Sequence, residues 1–395
     1  MSVVKRSSAT DPGIHEFELT NGAGTMVAKI SEFGARLTHL LVPDRSGSMV
    51  DVVMGFDTYE QLQHSINSID DPYAGAVIGR ISGRVCPSDK VRLNGTTYKL
   101  FANEPLTNSS LHGGKIGFDK KVWKGEILPC PEPGSASAKF TMVSPDGDEN
   151  YPGTLNLSLV YTVTAKNELK FGYEANLDSE PGTGASGGVG ETALSLTNHA
   201  YFNLSGFQDP TVLHHYCHFA SKDHLLADMD SLTLIGVHSQ ELGSSESAIR
   251  DPIYDNEFDS VMDFMTKPKR IGDDIHSHKL AKFRGYDHAY ALLPTKTNDR
   301  LQTIPISKIA SVWSETTGIK MDVLTDEPSF VFYTGNWVSD QLVGKNGVRY
   351  GPHCAFSIEC QRYNNAISID SWREQVLLSR DQTYSQNSIY QFSLI

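Results

Sequence analysis

Leu155, Leu157, Leu159, Tyr161 and Val163 alternate with Asn156, Ser158, Val160, Thr162 and Thr164, so one face of this stretch is apolar and the other mostly polar. Period-two alternation of that kind marks a strand with one face against a core. Ala165-Lys166-Asn167-Glu168 suits a turn, and Leu169, Phe171 and Tyr173 then resume the pattern, which predicts an antiparallel hairpin over residues 155–175. Similar short runs recur at Ala28–Ile30, Leu37–Val42, Phe140–Val143, Leu194–Leu196, Ala289–Leu293, Ile309–Trp313, Ile319–Val323, Phe330–Tyr333 and Phe356–Ile358. Helical periodicity of any length is scarce. Many short strands punctuated by Gly, Pro, Asn and Asp point to an all-β sandwich or barrel.

One stretch breaks the pattern. Residues 178–190 are acidic and then Gly-rich, with strand-like sequence on both sides, and read as a surface loop insertion within one domain spanning 1–395. Gly182-x-Gly184-x-x-Gly187 matches a dinucleotide fingerprint in letters only, because the following Thr192–Leu196 reads as strand where that motif requires a helix.

Composition narrows the function classes. The 34 Lys and Arg against 47 Asp and Glu give a net charge of −13, which repels nucleic acid and anionic membranes. No stretch approaches the roughly 20 apolar residues of a spanning helix, and no export signal follows Met1. The five cysteines lack C-x-x-C spacing, so neither a disulfide framework nor a structural zinc site is expected, and a cytoplasmic location fits.

Several residues carry candidate chemistry. His199 sits among Asn198, Tyr201 and Asn203 at the end of an apolar run, where polar neighbours can fix one ring tautomer and aim the other nitrogen at a ligand. His112 precedes Gly113 and Gly114, which permit close backbone approach. Arg80 and Arg84 read either as a solvated pair or as a guanidinium set against a carboxylate or a hydroxyl-rich ligand. Glu359 lies within the apolar run Cys354–Gln361, where burial raises a carboxylate's pKa toward that of a useful base; the plainer reading is an ion pair with Arg362. Asp287 is a second carboxylate of the same kind. In His214-His215-Tyr216-Cys217-His218, alternation splits the possible metal ligands between two faces, which favours a structural or surface role.

Taken in order, these segments resemble the aldose 1-epimerases, the galactose mutarotase family. The similarity lies in Gly79–Arg84, Leu111–Trp123, Asp146–Gly153, Leu196–Leu204, Tyr286–His288, Tyr333–Asn336 and Glu359–Gln361, spread from about residue 15 onward. The resemblance implies a large antiparallel β supersandwich, a cofactor-independent enzyme without a metal, and a free monosaccharide as substrate; the sequence leaves monomer and homodimer both open. It implies Glu359 as general base and His199 as general acid, with Arg84, His112 and Asp287 binding and orienting the sugar. The chain departs from the family's pattern at Gly83, where Asn is usual, at Val331, where Gln is usual, and at Asn364-Asn365, where Pro-Asp is usual. Two missing hydroxyl contacts predict an altered or relaxed sugar preference.

Three other readings share these residues. A hexose-6-phosphate mutarotase needs a cation cluster beyond Arg80 and Arg84. A glycoside hydrolase using Asp287 and Glu359 leaves His199 idle. A non-catalytic sugar sensor would have no need of Glu359 and His199 together.

Overall fold

The computed structural model describes residues 1–7, 13–67, 71–178, 190–228, 233–238, 254–292, 301 and 303–395. Apart from Asp178 and Gly190, the Gly-rich stretch and its fingerprint-like glycines lie outside the described residues.

The alternation at 155–163 becomes the strand Leu155–Val163, whose five apolar side chains on one face are at most 4% exposed. It pairs antiparallel with Glu168–Leu177, Leu159 facing Tyr173, so the expected hairpin forms. Both strands belong to a nine-stranded sheet in the order Lys124–Leu128, Ala136–Ser144, Leu155–Val163, Glu168–Leu177, Thr383–Leu394, Ile319–Thr325, Ser307–Trp313, Tyr216–Phe219, Lys269–Arg270. A central six-stranded sheet runs Tyr201–Phe202, Phe356–Gln361, Ser329–Tyr333, Asp287–Ala291, His224–Ala227, Leu234–His238. The first 51 residues contribute a five-stranded sheet, which packs on the large one through the edge-to-face pair of Phe17 and Phe140, 5.2 Å apart.

Alternation decides which face of the central sheet meets the core. Phe330, Phe332, Phe356 and Ile358 point toward the large sheet, where Phe219 meets Phe330 and Phe332 at 5.2 and 5.1 Å and Phe202 meets Tyr390 at 5.0 Å. Burying each such ring contributes roughly 1.5–3 kcal/mol, which fixes the register of these strands. The intervening residues face the other way. Ala289, Val331 and Glu359 lie opposite one another in one cross-strand row, and Asp287, Tyr333, Ser357 and Tyr201 form the next.

Two local expectations change. Leu194–Leu196 is not a strand, because the chain here moves between partners: Glu191–Ala193 pairs with Leu377–Ser379, Ser195 bridges Ile81, and Thr197–Asn198 pairs with Val77–Ile78. No single ladder lasts long enough to define one strand, and the path delivers His199 beside the central sheet. Among the described residues two short α-helices also form, Tyr59–Ile66 and Asn256–Met262. The first is announced by Thr58-x-x-Gln61: Thr58 Oγ1 accepts from Gln61 N at 3.1 Å, and Gln61 Oε1 accepts from Thr58 N at 3.2 Å.

Candidate active site

Arg84, His112, His199, Asp287 and Glu359 all line one cavity of about 630 Å³ on the free face of the central sheet. They arrive from five separate segments, and each is held by its own local structure.

Glu359 is placed by its strand: Ser357, Glu359 and Gln361 share the face opposite Phe356, Ile358 and Cys360, so the carboxylate points away from the apolar core and toward the cavity. Its partner is not Arg362, which pairs with the buried Glu327 instead. Burial lifts the Glu359 carboxyl to about 8, and the nearby Asp287 pushes in the same direction. Across from it, His199 Nε2 lies 3.4 Å from Glu359 Oε1.

The backbone of His199 is clamped by Ala74–Ala76, with His199 N donating to Ala76 O at 2.9 Å and Gly75 N donating to His199 O at 2.8 Å. Tyr73 and Tyr201 stack on its ring at 6.0 and 4.9 Å, while His112 meets it edge-on at 5.3 Å. Burial lowers the imidazole to about 4. At neutral pH His199 is therefore neutral and Glu359 protonated, so the pair holds one proton between pH 4 and 8.

His112 takes a left-handed conformation, φ +52°, and Gly113 after it has φ +87°. A Cβ on Gly113 would lie 1.9 Å from Gly79 O, so only glycine lets the two turns touch. Gly83 N donates to His112 Nδ1 at 3.2 Å, which leaves the ring proton on Nε2; burial, with His199 and Arg84 adding to it, holds the ring neutral.

Arg84 grips Glu104 with two hydrogen bonds, Nε to Oε2 at 2.7 Å and Nη2 to Oε1 at 2.9 Å. Burial alone lowers its pKa, but Glu104 overrides that and keeps the guanidinium charged. Asp287 is raised by burial, with Arg84 pulling it back down.

Arg80 behaves differently. Its guanidinium is buried and donates to Ser144, Pro145 O, Pro152 O, Gly153 O and Thr192 Oγ1. The two are not a solvated pair: Arg84, partly exposed, meets a carboxylate, while the buried Arg80 ties loops together. His215 is likewise structural, its Nε2 accepting from Leu204 N at 2.9 Å.

The sequence gave no role to Tyr73, Glu104, Lys120 or Tyr201, and marked Asn364 only as a departure from the family's usual Pro; all five also border the cavity. Tyr201 had a signal, two residues after His199. Lys120 lies 3.0 Å from Asp71 and 2.5 Å from Asp119, over the Tyr73 ring. Among the described residues, the cavity carries the carboxylates Asp71, Glu104, Asp287 and Glu359 against the cations Arg84 and Lys120.

Such a wall can move a proton between a carboxyl and an imidazole beside a bound polyol, and its polar groups suit hydroxyls better than a dianion. Comparison with known proteins agrees in kind. A family model described as aldose 1-epimerase matches residues 15–263 and 252–391. The chain is 31% identical over 388 residues to galactose mutarotase of Homo sapiens, covering 95% of this chain and 97% of that one. It is 31% identical over 366 residues to galactose mutarotase of Rattus norvegicus, covering 92% and 90%. The fold is similar to that of an aldose epimerase homologue from C. elegans, with TM-score 0.73, 24% identity and full coverage of both chains. It is similar also to a galactose 1-epimerase from Lactobacillus acidophilus, with TM-score 0.73, 22% identity and coverage of 100% and 98%.

Proposed function

The chain belongs to the aldose 1-epimerase family, and from that premise we propose that it interconverts the α and β anomers of a free aldohexose such as galactose or glucose, with Glu359 and His199 as the proton-transfer pair. The observation that carries this reading is the contact of Glu359 Oε1 with His199 Nε2, 3.4 Å apart on one cavity wall and sharing one proton across neutral pH.

The chemistry follows from that proton. In the empty site it rests on the Glu359 carboxyl, because a dry wall disfavours the ionised pair. Hydroxyls of an arriving sugar donate to the carboxylate and favour the alternative, Glu359 ionised and His199 protonated. Glu359 then takes the proton of the anomeric hydroxyl as His199 gives one to the ring oxygen. The C1–O5 bond breaks, O1 becomes a carbonyl oxygen and O5 a hydroxyl. Rotation about C1–C2 presents the opposite carbonyl face, and O5 attacks it while the two protons return. One carbon separates the two oxygens, so an acid and a base set side by side reach both. Arg84, Asp287 and the Nε2 proton of His112 hold the remaining hydroxyls.

The excess of carboxylates over cations disfavours a sugar phosphate, and the acid–base pair would be idle in a sensor. All five cysteines are free thiols, which supports a reducing, cytoplasmic setting. Among the described residues no helix is long and apolar enough to cross a membrane.

Polarimetry of freshly dissolved α-D-galactose and α-D-glucose tests the proposal. The wild-type protein is expected to accelerate anomer interconversion, and Glu359→Gln to abolish it while still binding sugar. Folded wild-type protein that accelerates neither sugar would overturn it.

A further inference from the structure

Asn364 borders the cavity, yet the mechanism above gives it nothing to do. Its Oδ1 is buried and has no hydrogen-bond partner among the described residues. A buried amide end without a partner is costly, and native folds rarely keep one unless something outside the chain completes it.

Its position follows from the residue it leans on. Residue 83 is a glycine at φ +75°, and a Cβ there would lie 2.5 Å from Asn364 Nδ2 and 2.7 Å from Asn364 Cγ. The Asn364 amide thus fills the volume that any side chain at 83 would claim. Gly83 N also donates to His112 Nδ1, so the amide lies against the turn that orients His112. Asn364, Arg84, Asp287 and Val331 together separate the main cavity from a pouch of about 30 Å³ whose other walls include Leu234, Phe283 and Ala289. Within this wall Asn364 offers a donor and an acceptor, and Val331 offers neither.

We propose that Asn364 is a substrate-contacting specificity residue, its amide seated in the space that Gly83 leaves open and taking one ring hydroxyl of the sugar from there. The proposal rests on the sugar-site reading above. A hydroxyl is donor and acceptor at once and satisfies either end of an amide. The wall then favours a sugar that turns a hydroxyl toward Asn364 and a C–H toward Val331, so the missing side chain at 83 is replaced rather than lost. The preference that results is for one configuration, not relaxed.

The test measures kcat and KM for galactose, glucose and their mono-deoxy analogues, with affinities for the same sugars by calorimetry, on wild type and Asn364→Ala. We expect KM for the better hexose to rise about 10- to 100-fold with kcat nearly unchanged, as for loss of uniform binding. For one deoxy sugar, the one lacking the hydroxyl read by the amide, the two proteins should have equal KM. The melting temperature should fall little, because Asn364 Oδ1 makes no hydrogen bond within the described residues. An exchange variant, Gly83→Asn with Asn364→Gly, should recover part of the loss, since Asn tolerates a positive φ.

An equal KM increase for every sugar, or no increase because a water in the pouch serves the amide, would overturn the proposal. Should no variant turn over sugar, calorimetry separates the two ideas. Sugar affinity that drops in Asn364→Ala sinks mutarotation and keeps Asn364; affinity indifferent to the substitution, or no binding at all, sinks the assignment of Asn364.

Discussion

Arg80 and Arg84 stand four residues apart in one short segment, Arg80 buried and Arg84 partly exposed, and the surroundings of the two are built to opposite ends. Around Arg80 the chain supplies the acceptors, among them the carbonyls of Pro145, Pro152 and Gly153, and leaves the guanidinium nothing to offer a ligand. Around Arg84 it supplies one carboxylate, Glu104, and then stops, leaving Asp287, His199, Glu359 and Asn364 along a wall that the protein does not complete by itself. The satisfied guanidinium of Arg80 holds loops together, while the unpaired Oδ1 of Asn364 sits where the cavity leaves room for a ligand.

The sharpest way to break this contrast is at the open wall. His199→Ala should lower kcat/KM by about 10²- to 10⁴-fold in the mutarotation assay, as expected for loss of a general acid, with little change in melting temperature. A loss below tenfold would mean that the incomplete wall is not the reacting centre. At the closed cluster the expected damage is to the fold. Arg80→Met strands several buried carbonyls, and urea unfolding should show about 3 kcal/mol or more of lost stability while folded protein keeps its turnover.

The proton on the pair gives the third test. Below pH 4 His199 gains a second proton for the pair, and above pH 8 Glu359 loses the only one, so kcat/KM should form a plateau between these limits and fall on both sides. Stability carries the same signature. Glu359 binds its proton more tightly folded than unfolded, so its contribution is complete below the ordinary carboxylate range and is lost as pH rises through about 8. Glu359→Gln should therefore melt higher than wild type at pH 9, and the gap should shrink or reverse near pH 5. The smallest effect is expected from Val331→Gln, which adds a polar group to the wall and should change the galactose-to-glucose ratio of kcat/KM by about 10-fold or less.

Much of this was legible in the residues because alternation in a strand is a local property. Ser357, Glu359 and Gln361 are assigned to the face opposite Phe356, Ile358 and Cys360 by counting alone, and the long segments around His112 and His199 announced themselves by their glycines and amides. What escaped depends on contacts between distant segments. Nothing local joins Glu104 to Arg84, or tells Arg80 apart from Arg84, because both answers lie in loops that come together only on folding. Leu194–Leu196 has the composition of a strand, but its backbone partners change every two residues. Asn364 stands out only as a departure from the family's usual Pro until the absent side chain of Gly83 shows what the amide replaces.

The sheet order also sets a timetable. Thr383–Leu394 is the last strand of the large sheet to be synthesised, yet it runs between Glu168–Leu177 and Ile319–Thr325, near the middle. Until it emerges from the ribosome the sheet is two unjoined halves, each with a bare edge of the sort that recruits other chains. A nascent chain must carry the bare edge of Glu168–Leu177 while residues 178–382 are made and that of Ile319–Thr325 while residues 326–382 are made, and the wall that bears Glu359 cannot settle on its finished backing before then. Catalytic competence should appear abruptly, with the final strand, and not in proportion to the length of chain made.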